Sequence, residues 1–311
     1  MKMYDTIIVG SGAAGLSAAV YAKRAALDFA VIEKEYLGTG QIAESERVDN
    51  YLGLYGESGY ELGEKFRAHA EALGTTFIEG EVTEIIPENG GYRVVISDGN
   101  SFAAKTVVYA AGASHRRLDI KGEAEFSGRG VSYCAVCDGA FYKDKDAAVI
   151  GGGDTALGDA LYLSKLARKV YLVHRRDTFR ANKALQEQVL SKDNIETVLN
   201  AVPVEITGEK LVNGLRVNQS GTEKILSVNG VFAAVGTVPD SGVLKGIADM
   251  DGNGYIIAGE DCVTSAKGIF AAGDVRTKAL RQVITAAADG ANSILSVEKY
   301  LSENGGQIRE N

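Results

Sequence analysis

The chain opens on a short apolar run, residues 4–10 (YDTIIVG), which passes through SGAAG into an alanine-rich segment carrying Leu16 and Val20 up to about residue 26. An apolar run, a glycine turn and then apolar positions at helical spacing predict strand, turn and helix. The same pattern returns at AAVIG (147–151), followed by GGDTA and a helix expected through Tyr162 and Leu166 to Lys169. Gly151 stands 141 residues after Gly10, so the chain reads as two copies of one βαβ opening, each starting a parallel sheet covered by helices. Two apolar strands ending in glycine, VVYAAG and VFAAVG, lead into GASHRRL (112–118) and PDSGVLKG (239–246), where the chain is expected to cross between lobes. GIFAAGDV (268–275) predicts a strand returning to the first lobe, then a closing helix from about Gln282 to Leu301, with residues 302–311 frayed.

Composition narrows the field. A chain of 311 residues fits two domains of about 100–200 residues each. With 45% hydrophobic and 24% charged residues it is globular rather than disordered. The 33 basic and 41 acidic side chains leave a net charge of −8, which opposes phosphate attraction and argues against nucleic acid as a partner. No apolar stretch reaches the roughly 18 residues a membrane span needs, so no membrane partner is expected. Lys2 and the apolar run toward Ala22 imitate a secretory signal, but Asp5 interrupts it and its glycines have nucleotide-binding spacing. A mature, cytoplasmic protein is expected. Glycine is the outlier, 38 residues without a collagen-like period, which points to tight ligand-binding loops.

Gly10, Gly12 and Gly15 form G-x-G-x-x-G, with Ser11, Ala13 and Ala14 between them, and Glu33 lies 23 residues beyond Gly10 at the end of AVIE. Such glycines let the backbone close on a pyrophosphate at a helix N-terminus, and a carboxylate at the next strand tip accepts from ribose hydroxyls. This describes an adenine dinucleotide with a bare 2′-OH. The second fingerprint, Gly151, Gly153 and Ala156 with Asp154 and Thr155 between, lacks the acid: the same count lands on His174, followed by Arg175, Arg176 and Arg180. Guanidinium forks suit a 2′-phosphate, so this loop is expected to prefer NADPH over NADH; a solvated helix start is the plain alternative. The expected fold class is α/β, two Rossmann-like three-layer nucleotide-binding domains, with residues 115–244 inserted between 1–114 and 245–311.

Cys134 and Cys137, in YCAVCDG, have the Cys-x-x-Cys spacing of a small redox disulfide. Zinc and inert buried thiols are the competitors, but Cys262, His69, His115 and His174 stand at no ligand spacing, and no metal site is expected. Asp138 is in place to move the proton of thiol chemistry or, alternatively, to make an Asp-Gly turn. Gly273-Asp274, with Arg281, Gln282 and Val283 opening the last helix, is another strand end and helix start, where an aspartate can accept from sugar-like hydroxyls.

Taken together, GSGAAG, GQI with VDN, AAGASHRRL, YCAVCDGAFY, GGGDTA, HRRDTFRA, AVGTVPD and GIFAAGDVR with RQV resemble the bacterial low-molecular-weight thioredoxin reductases, from Tyr4 to about Leu301. The resemblance implies that the outer domain holds FAD through Gly10, Gly12, Gly15, Glu33, Gln41, Asn50 and Asp274, with Arg281–Val283 near the flavin; Gly40, Val82 and Gly112 complete the expected contacts. It implies an NADPH-binding inserted domain, a homodimer, and thioredoxin or a similar disulfide protein as partner. By the same resemblance Cys137 faces the flavin, Cys134 attacks the partner's disulfide and Asp138 serves as acid and base. Ala13 stands where the family often has proline, Gly158-Asp159 where it commonly has two glutamates, and Ala140-Phe141 where an aromatic pair is common. A ferredoxin- or flavin-fed relative and a non-catalytic redox sensor are the rival functions; a 2′-phosphate site is of no use to the first, and multiple turnover separates the second.

Overall fold

In the computed structural model, which describes residues 2–34, 42–43 and 48–304, the chain forms two compact units. The outer unit is Met1–Ser114 with Val238–Asn311, and the inserted unit is His115–Thr237. The second crossing therefore falls at 237/238 rather than at the expected 244/245. The reason is packing: Leu244 is fully buried in the outer core with Ile7, Ile256 and Ile269, and the Ser241 hydroxyl donates to the Gly254 carbonyl at 2.6 Å. Gly40, Gln41 and residues 305–311 lie outside the described residues.

The outer unit begins β1 (Met3–Val9), α1 (Ala13–Arg24), β2 (Phe29–Glu33), α2 (Gly59–Ala72) and β3 (Phe77–Glu79). The hairpin β4 (Val82–Glu88) and β5 (Gly91–Ile96) follows, then β6 (Ser101–Tyr109) and the short β7 (Ala113–His115). β1 pairs in parallel with β2 and β6, and β2 with β3. All five residues of β2 and the last four of β1 are buried, which is why these strands read as unbroken apolar runs rather than alternating ones.

The inserted unit comprises β8 (Val131–Ser132), α3 (Ala135–Asp138), β9 (Asp146–Ile150), α4 (Asp154–Leu163), β10 (Lys169–Val173), α5 (Lys183–Leu190) and β11 (Ile195–Val198). Next come β12 (Ala201–Gly208), β13 (Val212–Gln219), β14 (Thr222–Leu226) and β15 (Gly230–Ala233). Its parallel sheet has the order β11-β10-β9-β15-β8, with β12-β13-β14 a separate antiparallel sheet. The helix expected to reach Lys169 ends at Leu163, because Lys169 already pairs with Asp146 as the first residue of β10, and Arg168 holds Asp146 by two bonds of 2.8 Å.

After β16 (Thr237–Pro239) the chain re-enters the outer unit with β17 (Ile269–Ala271) and α6 (Val283–Glu303). β6 serves two neighbours along one edge: Ser101–Ala104 pair antiparallel with β5, and Val107–Tyr109 pair in parallel with β17. α6 packs on α1 so closely that any side chain at Gly290 would overlap the Ala14 carbonyl, and the Ser17 hydroxyl donates to the Ala287 carbonyl at 2.6 Å. Among the described residues, no helix is long and apolar enough to cross a membrane.

Candidate functional site

The first glycine loop turns because Gly10 takes φ +100, which an L side chain rarely adopts, and because a Cβ there would stand 2.5 Å from the Ala110 carbonyl oxygen. Gly15 lies so close to the Gly10 carbonyl that a side chain would overlap it. Gly12, the N-cap of α1, is different: a Cβ there would meet nothing within 4 Å. The fold demands glycine at 10 and 15, whereas at 12 the open space suits a ligand approaching the backbone. Ser11 is buried in the turn, and Ala13 and Ala14 open the helix. Glu33, 3% exposed, accepts from Arg67 Nη1 at 2.6 Å. Arg67 also bonds Glu71 at 2.7 Å and lies 3.3 Å above the Phe77 ring. Val82 sits at the start of β4 in the core with Val9 and Ile32, and the Gly112 carbonyl accepts from Asp240 N–H at 3.0 Å.

Asp274 follows β17 in a short 3-10 turn, Gly273–Val275. Its Oδ1 is buried without a hydrogen-bond partner among the described residues, 4.0 Å from the Lys278 ammonium. Burial pushes its carboxyl up, against the pull of Lys278 and Arg281. Arg281 lies 4.1 Å over the Tyr255 ring, and its Nε is likewise buried and unpaired among the described residues. Gln282 caps α6 and accepts from Asn50 Nδ2 at 2.8 Å, and Val283 packs on Ile42, Val48 and Leu62. The turn is anchored by Asp289 of α6, which accepts from Gly273 N–H (2.9 Å), from Arg276 by two bonds (2.7 and 2.8 Å) and from Lys278 (2.9 Å). Two unmatched buried polar atoms in one turn region are unusual unless something polar binds there.

The second loop repeats the first. A Cβ at Gly151 would stand 2.4 Å from the Ala234 carbonyl oxygen and 2.6 Å from the Ala156 methyl group, so position 151 needs glycine, and Gly153, the N-cap of α4, opens on free space. Thr155 is exposed, and Asp154 is engaged by Asn182, whose N–H and Nδ2 donate to it at 2.8 and 3.1 Å. Arg175, Arg176 and Arg180 are exposed, and Arg180 N–H donates to the Gly152 carbonyl at 2.7 Å, which fixes the arginine segment beside the glycines. His174 does not join this cluster. Its ring is buried under Gly152, where no side chain would fit, and stacks on Phe179 at 5.5 Å. Burial pushes its pKa down, a hydrogen bond with the Thr178 backbone works against that, and the charges of Arg180, Arg175 and Arg176 add to the lowering.

Cys134 and Cys137 form a disulfide across α3. The Cys137 N–H donates to Cys134 Sγ at 3.2 Å, an arrangement that favours negative charge on that sulfur once the bond is open. Asp138 accepts from the Ser132 hydroxyl at 2.6 Å. Glycine follows Asp138 where a Cβ at 139 would stand 2.9 Å from the Tyr162 ring and 3.0 Å from Leu163 Cδ2. Tyr133, beside Cys134, stacks on His115 at 5.1 Å, donates to Glu123 at 2.8 Å and accepts from Arg117 at 3.0 Å. Glu123, buried, also takes the Leu118 and Asp119 N–H groups at 2.8 Å each, tying the crossing segment to the cysteine turn. Cys262 is buried in the outer unit, its thiol pushed up to about 12 by burial.

Residues 4–290 match the family described as pyridine nucleotide-disulphide oxidoreductase. The chain belongs to this family. It is 40% identical over 305 residues to a thioredoxin reductase of Listeria monocytogenes, covering 97% of this chain and 95% of that one, and 41% identical to one of Bacillus subtilis, covering 97% and 96%. The crystal structure of thioredoxin reductase from Streptococcus pyogenes superposes with a TM-score of 0.91 at 41% identity, covering 97% and 99% of the two chains. Membership makes the chain an oxidoreductase that couples a pyridine nucleotide to a disulfide, and Cys134–Cys137 is the disulfide on hand. Against this oxidoreductase's own geometry, sequence reading missed Arg67, Ser132, Glu123, Arg276, Lys278 and Asp289. Each is a polar partner of a residue it did single out or a tether of that residue's loop.

Proposed function

We propose that the chain is an NADPH-dependent thioredoxin-disulfide reductase, carrying reducing equivalents from NADPH through FAD and the Cys134–Cys137 disulfide to oxidised thioredoxin or a similar protein disulfide. The observation that carries this reading is a disulfide with an adjacent carboxyl in the same unit as a glycine loop flanked by three exposed arginines. FAD would be held by the Gly10–Gly15 loop and Glu33 on its adenosine side, and by Asp274, Arg281, Gln282, Val283 and Asn50 on its flavin side. The orphaned Asp274 Oδ1 and Arg281 Nε fit a group bearing both hydroxyls and acceptors. NADPH would be held by Gly151–Ala156 with Arg175, Arg176 and Arg180. Bound FAD supplies the two-electron link between nucleotide and disulfide.

The chain's own part is thiol chemistry. Two electrons and two protons open the Cys134–Cys137 bond to a dithiol. Cys134, whose sulfur the Cys137 N–H supports, is the nucleophile. Its thiolate attacks one sulfur of the partner's disulfide, that bond breaks, and the departing thiolate takes a proton. The Cys137 thiolate then attacks Cys134 Sγ in the mixed disulfide, the bond to the partner breaks, the partner's second sulfur leaves as a thiolate that takes a proton, and the Cys134–Cys137 bond is restored. Asp138 holds the protons exchanged in these steps. Thioredoxin lies near −270 mV and ~30 mV corresponds to about 1.4 kcal/mol for two electrons, so the pair must sit close to that potential to pass electrons on. A cytoplasmic homodimer completes the reading.

The test is anaerobic titration of the purified protein with NADPH and NADH separately, followed by thioredoxin. Bleaching of a yellow chromophore by NADPH well ahead of NADH, then release of thioredoxin thiols that is lost in Cys137→Ser, is the expected result. A colourless protein that takes up no FAD, or one that NADH bleaches equally, overturns the cofactor assignment.

A further inference from the structure

We propose that Ser132 is the positioning residue for Asp138, with its single hydroxyl tying that carboxyl to the backbone of Cys134 and satisfying it both ionised and protonated. The inference rests on the reading above, in which Asp138 handles the protons of the cysteine pair.

Ser132 ends β8, paired with Phe232 of β15, and is 5% exposed, so water does not compete for its hydroxyl. Three groups surround Oγ. It donates to Asp138 Oδ2 at 2.6 Å and accepts from Cys134 N–H at 3.1 Å, and the Cys134 carbonyl stands 3.3 Å away. That carbonyl also accepts from Asp138 N–H at 3.1 Å, which closes the turn on itself.

A hydroxyl has one proton to give and two lone pairs to offer. While Asp138 is ionised, the proton lies on Oδ2 in a short charge-assisted bond, and one lone pair takes the Cys134 N–H. When Asp138 gains a proton, its O–H can point at the remaining lone pair while the serine proton turns to the Cys134 carbonyl. Neither state strands a donor. Alanine at 132 would deprive Cys134 N–H and Asp138 Oδ2 of a partner each, yet would remove no apolar packing. The carboxylate would lose a donor that favours its charged form, so its proton affinity would rise.

Other titratable groups on the elements packed here must be separated from Asp138. α3 carries Cys137 with Cys134 as its N-cap, and Tyr133 precedes them. The turn after it carries Tyr142, and α4, which packs on α3, carries Asp154, Asp159 and Tyr162. Asp159 titrates near 7 because of burial, so every variant is also made in an Asp159→Asn background.

The holoenzyme is reduced with dithiothreitol and desalted anaerobically, and iodoacetamide labelling of Cys134 and Cys137 is followed by peptide mass between pH 4.5 and 9. Buried Cys262, with its raised pKa, does not label in this range. The lower inflection of the profile is expected to vanish in Asp138→Asn and to move up by about one pH unit in Ser132→Ala. Ser132→Thr, which keeps the hydroxyl, restores it, and Ser132→Ala has no further effect once Asp138 is Asn. If Asp138→Asn alters the profile but Ser132→Ala does not, or if Ser132→Ala acts equally with and without Asp138, the role of Ser132 is overturned. An Asp138→Asn profile identical to that of the unmodified protein overturns the acid–base reading of Asp138, and Ser132 with it.

Discussion

Asp159 of α4 is a half-buried acid, and that burial pushes its pKa up to about 7 from an ordinary 3.8. The folded state therefore binds this proton more tightly than the unfolded state does. The stability this adds is complete below the unfolded pKa, is lost as pH rises toward 7, and is absent above it. Asp159→Asn should match the unmodified protein near pH 4 and exceed it by on the order of 1–3 kcal/mol at pH 8, read by urea unfolding across that range. Asp289 behaves in the opposite sense. Burial works against its charge, but hydrogen bonds from Arg276 and Lys278 outweigh it and hold the carboxyl low, so its contribution is present at neutral pH and lost on acidification. Asp289→Asn takes the carboxylate away from buried Arg276 and leaves Lys278 only Asp274, 4.0 Å away, so thermal unfolding should report a loss of about 3–5 kcal/mol. Because Gly273 N–H hangs on the same carboxylate, FAD retention on dialysis should fall with it.

At the scale of elements, the two strand–glycine–helix units separate what the fold needs from what a ligand needs. Gly15→Ala drives a methyl into the Gly10 carbonyl and should prevent the outer unit from folding stably. Gly12→Ala and Gly153→Ala place a methyl in open space at the N-cap of α1 and α4. Each should leave unfolding within about 1 kcal/mol of the unmodified protein, while FAD affinity falls at least about tenfold for the first and NADPH affinity for the second, measured by fluorescence titration. These loops were legible in the sequence because glycine spacing and strand runs are local signals. The partners that hold them were not. Arg67 reaches Glu33 across 34 residues and Asp289 reaches Arg276 across 13, and no periodicity announces such pairs. Ser132 is only six residues from Asp138, but whether a two-residue strand and a four-residue helix fold back on one another depends on turn direction, which residue types leave open. His174 shows the converse limit: the count from Gly151 lands on it, but nothing local in the sequence announces that the missing side chain at Gly152 creates the slot that buries its ring.

At the scale of the whole molecule, labour is divided unevenly between the units. The proposed FAD residues lie in the outer unit, while the cysteine pair, Asp138 and the arginine-flanked loop all belong to the inserted one. On the proposed reading, nucleotide and disulfide share a unit, and each would have to reach a flavin carried by the other. The units join through two short crossings, at 114/115 and 237/238. Near them, Arg116 N–H donates to the Gly236 carbonyl within the inserted unit and Asp240 N–H to the Gly112 carbonyl within the outer one, so each crossing is braced on both sides rather than slack. If each unit moves as one body, rotation about the crossings would let catalysis alternate between two arrangements. A short, cleavable amine crosslinker provides the test, with the species bridged between units purified and mapped by peptide mass. Such a species should keep its FAD and complete one half-reaction, either reduction by NADPH or electron transfer to the disulfide, while steady-state turnover falls by about a hundredfold and returns on cleavage. Bridged enzyme that turns over at the unmodified rate would show that both half-reactions proceed in one arrangement, and would leave the paired crossings with a purely structural role.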